Sequence, residues 1–283
     1  MNIRTLLLVI TGCYLASSVM AQVQPVDTLS IGNNASAGHY MNIRGCKFYY
    51  EEYGTGLPVV MLHNNGGSIS NFMYQIPYFA RSFKVIAIDS RAQGKSVDNG
   101  DSLSYQMMAD DVNTLLDSLR LFQCFVMGWN DGAITGLLLA IHHPDKVRKL
   151  AITGARLSPD TSALDATAVT WALQYYRSIQ RLAPSQDNRN RSKVVRLLTF
   201  GPDIKAAEVK KISCPVLVIG GDHDVVLPRH TTYIASLIPQ SYLWLVPGAG
   251  NAIPVDFKDA FNNVVDDFFR RPYQPIEGLN RFN

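Results

Sequence analysis

The stretch Gly128-Trp129-Asn130-Asp131-Gly132 constrains this chain more than any other. An apolar run, residues 123–127, leads into it, and a run of small and apolar residues, 133–143, leads out. Two glycines flanking a single side chain between a strand and a helix make a sharp strand–turn–helix corner. This is the setting of the G-x-S-x-G motif, with Asn130 at the central position. Such a corner requires a sheet behind it and a helix packed on that sheet, so an α/β layer architecture is expected.

The rest of the chain supports that expectation. Residues 40–44 and 47–53 read as a hairpin around Gly45, followed by strands at 58–62 and 84–88 with a helix at 69–79 between them. Ser104 can cap a helix over 104–119, where Met108, Val112, Leu115, Leu116 and Leu119 repeat at helical spacing. Further strands are expected at 149–153, 215–219 and 242–246, with helices at 230–237 and 256–269. Strands alternating with helices imply a predominantly parallel sheet covered on both faces. Residues 158–209 break the rhythm. They read as a short helical lid, with helices at 163–182 and 192–198 and a polar turn at 186–190. Trp171, Tyr175 and Tyr176 lie at helical spacing within it; packing of lid on domain is the simpler reading, contact with a ligand the alternative.

Five landmarks in order give the chain a resemblance to the α/β-hydrolase fold superfamily, serine-hydrolase type, over nearly all of the chain beyond residue 21. Val59-Val60-Met61-Leu62-His63 resembles the strand ending in His-Gly, with Asn64 in place of Gly. Asp89-Ser90-Arg91-Ala92-Gln93-Gly94-Lys95-Ser96 resembles the D-x-R-G-x-G-x-S loop, with Ala92-Gln93 in place of Gly-His. The 128–132 corner matches the nucleophile elbow. The strand ending Gly220-Gly221-Asp222-His223-Asp224 resembles the one that carries the catalytic acid, which falls on Asp224. Pro247-Gly248-Ala249-Gly250-Asn251 matches the loop that presents the catalytic histidine. The resemblance also implies an oxyanion hole made by the backbone N–H groups of Asn65 and Asp131, and a left-handed backbone tolerated by Asn64.

The departures fall on the reacting groups. Asn130 stands at the nucleophile position and Asn251 at the histidine position, so of the triad only Asp224 remains. A carboxamide nitrogen has no nucleophilic lone pair, and asparagine has no pKa near neutrality with which to move a proton. Deamidation of Asn130 to Asp gives a nucleophile whose ester needs a histidine-activated water, which Asn251 cannot supply. The histidines present, at positions 39, 63, 142, 143, 223 and 230, read as structural. Asn251 is instead placed to donate to Asp224 and satisfy a carboxylate left without its partner.

The first residues look like an export signal, 1–21, with Arg4 ahead of the apolar run Leu6-Leu7-Leu8-Val9-Ile10 and Val19-Met20-Ala21 before the expected cut. A lipobox ending at Cys13 is the alternative, anchoring the protein by a lipid. Residues 22–37 read as a loose linker and 271–283 as an irregular tail. The net charge of +3 excludes nucleic acid and anionic membrane as evident partners. After cleavage Cys46, Cys124 and Cys214 remain, an odd number without metal-ligand spacing, and no cofactor is expected. The expected function is an exported, periplasmic or secreted α/β-hydrolase-like pseudoenzyme with a cleft for a small ester-, amide- or acid-like ligand or a protein partner. The alternatives are an active ester or amide hydrolase of non-standard mechanism, and an interaction protein using the lid or tail.

Overall fold

The structure, a computed structural model, describes residues 26–275. The expected signal segment, Cys13 and the end of the tail lie outside the described residues. Among the described residues, nine strands form one sheet. They are β1 Gly38–Ile43, β2 Cys46–Tyr53, β3 Leu57–Leu62, β4 Phe83–Ile88, β5 Val97–Asp98, β6 Cys124–Trp129, β7 Val147–Thr153, β8 Val216–Gly221 and β9 Ser241–Val246. Their order is β1-β2-β4-β3-β6-β7-β8-β9, with β5 paired to β2. The β1–β2 and β2–β4 pairs are antiparallel, and every pair from β4 through β9 is parallel.

Period-two burial in the central strands feeds two cores. Val60, Leu62, Ile86 and Ile88 face one, together with α2 Tyr105–Ser118, α3 Asp131–His142 and α7 Pro228–Leu237. Val59, Met61, Val85 and Ala87 face the other, with α1 Gln75–Phe79, α8 Ile253–Asp256 and α9 Lys258–Arg270. Between β7 and β8 lie α4 Ala166–Ile179, α5 Gln186–Phe200 and α6 Ala206–Val209. Among the described residues no helix is long and apolar enough to cross a membrane.

Some local expectations need correction. The helix expected at 69–79 is a 3-10 turn, Ile69–Phe72, followed by the short α1. Pro77 has no N–H to give to the carbonyl of Met73, so one continuous helix cannot form there. The polar turn expected at 186–190 is the first turn of α5. Ser185 caps it, its hydroxyl accepting from Asn188 N at 3.1 Å. Residues 26–37 contain no strand or helix before β1, yet they are not loose. The buried Glu51 carboxylate accepts from Gly32 N and Asn34 N at 2.8 and 2.9 Å while Tyr49 and Tyr53 donate their hydroxyls to it. The three described cysteines are buried and free, and burial pushes each thiol up to about 12.

Candidate functional site

Strand β6 delivers Asn130 at the corner with φ 48° and ψ −107°. An L-residue in that region costs on the order of 1–3 kcal/mol unless its surroundings fix it. Here they do: Asn130 N donates to Thr153 O and Asn130 O accepts from Ile134 N, both at 2.9 Å. The corner is tight because α3 runs against the end of β3. A Cβ on Gly132 would stand 1.9 Å from the carbonyl oxygen of Leu62. The strained turn typical of a nucleophile elbow is therefore intact around a residue that cannot be a nucleophile.

Asn130, Asn251 and Asp224 meet as the resemblance implies. Asn130 Nδ2 donates to Asn251 Oδ1 at 2.7 Å, and Asn251 Nδ2 donates to Asn130 Oδ1 at 3.0 Å and to Asp224 Oδ1 at 2.8 Å. Trp129 Nε1 holds the Asn251 carbonyl at 3.1 Å. Gly154 leaves the room for this pair, since a Cβ there would lie 2.1 Å from Asn130 Oδ1. Asp224 is 6% exposed, and burial raises its pKa against the opposing bonds from Asn251 and Val226 N. Among the described residues its Oδ2 has no partner. Where a Ser–His–Asp triad passes a proton, this chain has two amides that have satisfied each other.

The two backbone donors expected from the resemblance are free. Among the described residues, the N–H groups of Asn65 and Asp131 have no protein acceptor. His63 fixes the loop ahead of them: Nδ1 donates to Asn64 O at 2.7 Å and Nε2 accepts from Ser90 N at 3.0 Å. That arrangement requires a neutral ring, and burial lowers the His63 pKa to about 4. Asn64 does not use a left-handed backbone, contrary to expectation; the positive φ of this loop falls on Gly66, at 67°. Gly66 N donates to Gln93 Oε1 at 2.6 Å, so Gln93 braces the loop from the neighbouring turn. Among the described residues, Gln93 Nε2 and Asn64 Oδ1 are left without partners.

A cavity of about 940 Å³ opens above Asn130, Asn64 and Asn65 and is roofed by α4 and α5. This is at the upper end of ordinary small-molecule sites. Trp171 and Tyr175 line it, their rings stacked at 5.2 Å, whereas Tyr176 packs edge-on against Phe200. Asn251 and Asp224 lie behind Asn130 and do not border the cavity. Helix α5 is bolted down by a buried charge chain. Lys193 Nζ meets Asp98 Oδ2 at 2.6 Å, Arg91 Nη1 meets Asp98 Oδ1 at 3.0 Å, and Arg91 also grips Asp111 with two bonds.

The other histidines lie away from the site, His142 at the last turn of α3. His230 Nε2 accepts from Leu157 N, His143 bonds Asp110, His223 bonds Asp222 on the surface, and His39 stacks on Tyr50. None replaces the base at Asn251. Sequence reasoning missed the Gln93 brace, the Lys193 anchor and the side-chain partners of Asp131, all of which join residues far apart in the chain. Among the described residues there is no cluster of three or more metal-ligating side chains.

Comparison with known proteins agrees with this geometry. A family model described as the alpha/beta hydrolase fold matches residues 58–192. The chain is similar to the serine hydrolase BPHL of Mus musculus, at 24% identity over 88% of this chain and 91% of that protein. It is also similar to an sn-1-specific diacylglycerol lipase of the same species, at 28% identity over 71% of this chain and 78% of that protein. Among solved structures, a hydrolase from Pseudomonas aeruginosa superposes with a TM-score of 0.72 at 20% identity, covering 84% of this chain and 100% of the other. An enol-lactonase from Burkholderia xenovorans gives 0.68 at 20% identity, covering 82% and 100%. A predominantly parallel sheet in this strand order, a strained elbow between β6 and α3 and the matched family model lead to one assignment: the chain has the α/β-hydrolase fold.

Proposed function

We propose that this chain is an exported member of the superfamily whose reaction centre is silent and whose lidded cleft binds a small ester-, amide- or acid-like molecule. The observation that carries the reading is the reciprocal bonding of Asn130 and Asn251 at 2.7 and 3.0 Å. Neither amide can attack a carbonyl or move a proton, and their mutual bonds leave no water-activating group in place. The free N–H groups of Asn65 and Asp131 and the cavity above them are what a binding role needs, and they are independent of the side chains that changed. Losing a triad member costs on the order of 10⁴ to 10⁶ in kcat, leaving only the contribution of hole and binding.

The hydrolase names of the relatives favour a second reading, an active ester or amide hydrolase of non-standard mechanism. One assay separates the two. On p-nitrophenyl acetate, a silent centre gives equal rates for the wild type and Asn130→Ala, whereas an active one loses rate on that substitution. A thermal-shift screen then asks for a small molecule that stabilises the wild type and fails to stabilise Asn130→Trp, which blocks the cavity floor.

A further inference from the structure

Helix α5 roofs the cavity with one face. Asp187, Asn190, Arg191, Val194, Val195 and Leu198 line it, at the spacing of three and four that keeps side chains on one side of a helix. That face changes character along its length. It is polar from Asp187 to Arg191 and apolar from Val194 to Leu198. The two extremes, Asp187 and Leu198, lie roughly 16 Å apart at the rise of an α-helix.

The other walls follow the same gradient. Helix α4 runs antiparallel to α5, with Gln180 Nε2 donating to Ser192 Oγ and Thr199 Oγ1 donating to Ala172 O. The stacked Trp171 and Tyr175 therefore sit at the Leu198 end. Trp171 is 56% exposed, so its ring is not spent on packing the lid against the domain. At the Asp187 end the turn at 94–97 stands opposite, because Gln186 Nε2 donates to Asp98 O at 3.1 Å. Lys95 of that turn sends its ammonium elsewhere: Nζ donates to Asn33 Oδ1 and lies 4.6 Å from the centre of the Tyr49 ring.

The charges left at the polar end cancel. Asp187 and Arg191 are one turn apart, of opposite sign, and among the described residues neither takes part in a salt bridge. Asn190 lies between them, its Oδ1 accepting from Gln186 Nε2 at 3.2 Å and its Nδ2 without an acceptor among the described residues. An ionic group is drawn by one of the two charges and repelled by the other, and solvent screens both. A carboxylate, a carboxamide and a guanidinium within one turn instead offer acceptors and donors together. Neighbouring hydroxyls, each of which donates and accepts, can use all three.

We propose that the cleft takes a two-ended neutral ligand, an alkyl or aryl glycoside, with its sugar hydroxyls on Asp187, Asn190 and Arg191 and its apolar group between Trp171 and Leu198. This rests on the binding role proposed above and names the ligand by its two ends.

Butyl glucoside, octyl glucoside, octanoate and octyltrimethylammonium probe both ends. Their Kd values are measured by calorimetry at neutral pH, below their micelle concentrations. A methylene removed from water is worth about fourfold in Kd. With the added chain only partly covered, octyl glucoside is expected to bind at least about tenfold more tightly than butyl glucoside. It is expected to bind at least about tenfold more tightly than either charged octyl compound, whose head must shed water without a matched partner. In Trp171→Ala, a change at an exposed position, the difference between the two glucosides shrinks. In Asp187→Ala with Asn190→Ala, both glucosides weaken by the same factor. Equal Kd values for the two glucosides overturn the inference, as does a charged octyl compound bound as tightly as octyl glucoside. A chain-length difference unchanged in Trp171→Ala, or no binding of either glucoside, also overturns it. The cleft reading itself is decided by the thermal-shift screen with Asn130→Trp, so a stabilising molecule found there beside silent glucosides removes this inference alone.

Discussion

Asn130 and Asn251 hold each other by two hydrogen bonds, and the second of these residues also holds Asp224 at 2.8 Å. The buried carboxylate of Asp224 thus keeps a donor, from an amide that carries no proton titrating near neutrality. A histidine in place of Asn251 would have one nitrogen for each neighbour. The amide instead uses Nδ2 twice and Oδ1 once, which satisfies the pair and leaves only Asp224 Oδ2 unbonded.

Gly154→Ala tests whether the amide pair depends on the space beside it. The added Cβ collides with Asn130 Oδ1 and sits on a backbone with φ 66°. The expected loss is about 1–3 kcal/mol in urea unfolding, the usual scale for a side chain forced into a left-handed conformation. A variant as stable as the wild type would mean that the pair is free to move.

Lys193→Met tests the anchor of α5. The substitution keeps the stem but leaves Asp98, among the described residues, with Arg91 as its only cation in a buried site. Breaking one member of a buried charge group costs on the order of 3 kcal/mol. Limited proteolysis should then cut first between residues 180 and 200, read by mass spectrometry, whereas the wild type resists there.

His63 gives a pH dependence of definite sign. Its folded pKa, about 4, lies below the unfolded value near 6.5, so the unfolded state binds more protons between the two. The stability it contributes is complete above pH 6.5 and is lost as pH falls towards 4. From pH 7.5 to 5.0 the wild type should lose about 2 kcal/mol more than His63→Gln by urea unfolding. Parallel losses in the two proteins would place the proton elsewhere.

Much of this architecture is legible in the chain because its signals are local. Glycines at 128 and 132, a strand before them and a helix after them state the elbow by themselves, and the capping Ser104 marks α2 to within a residue. The pairing of Asn130 with Asn251 spans 121 residues and followed only from the resemblance, which orders the landmarks along the chain. The start of α5 was hidden because Gln186 to Asn190 are polar enough to read as a turn, and only the Ser185 cap turns them into a helix. The partners of Asp131 come from the loop after β3 and from α2, and no spacing in one chain announces such a meeting. The positive φ in the oxyanion loop fell on Gly66 because glycine reaches it without strain, leaving Asn64 in an ordinary conformation.

The double variant Asn130→Ser with Asn251→His puts a nucleophile and a base back into the preserved corner, with Asp224 already in place to orient the histidine. Its rate on p-nitrophenyl acetate is the measurement that matters most. If the two amides are what silence this site, the folded double variant is expected to exceed the wild type by about a hundredfold or more, a fraction of what a complete triad contributes. A folded double variant no faster than the wild type, or a wild type already as fast, would contradict it.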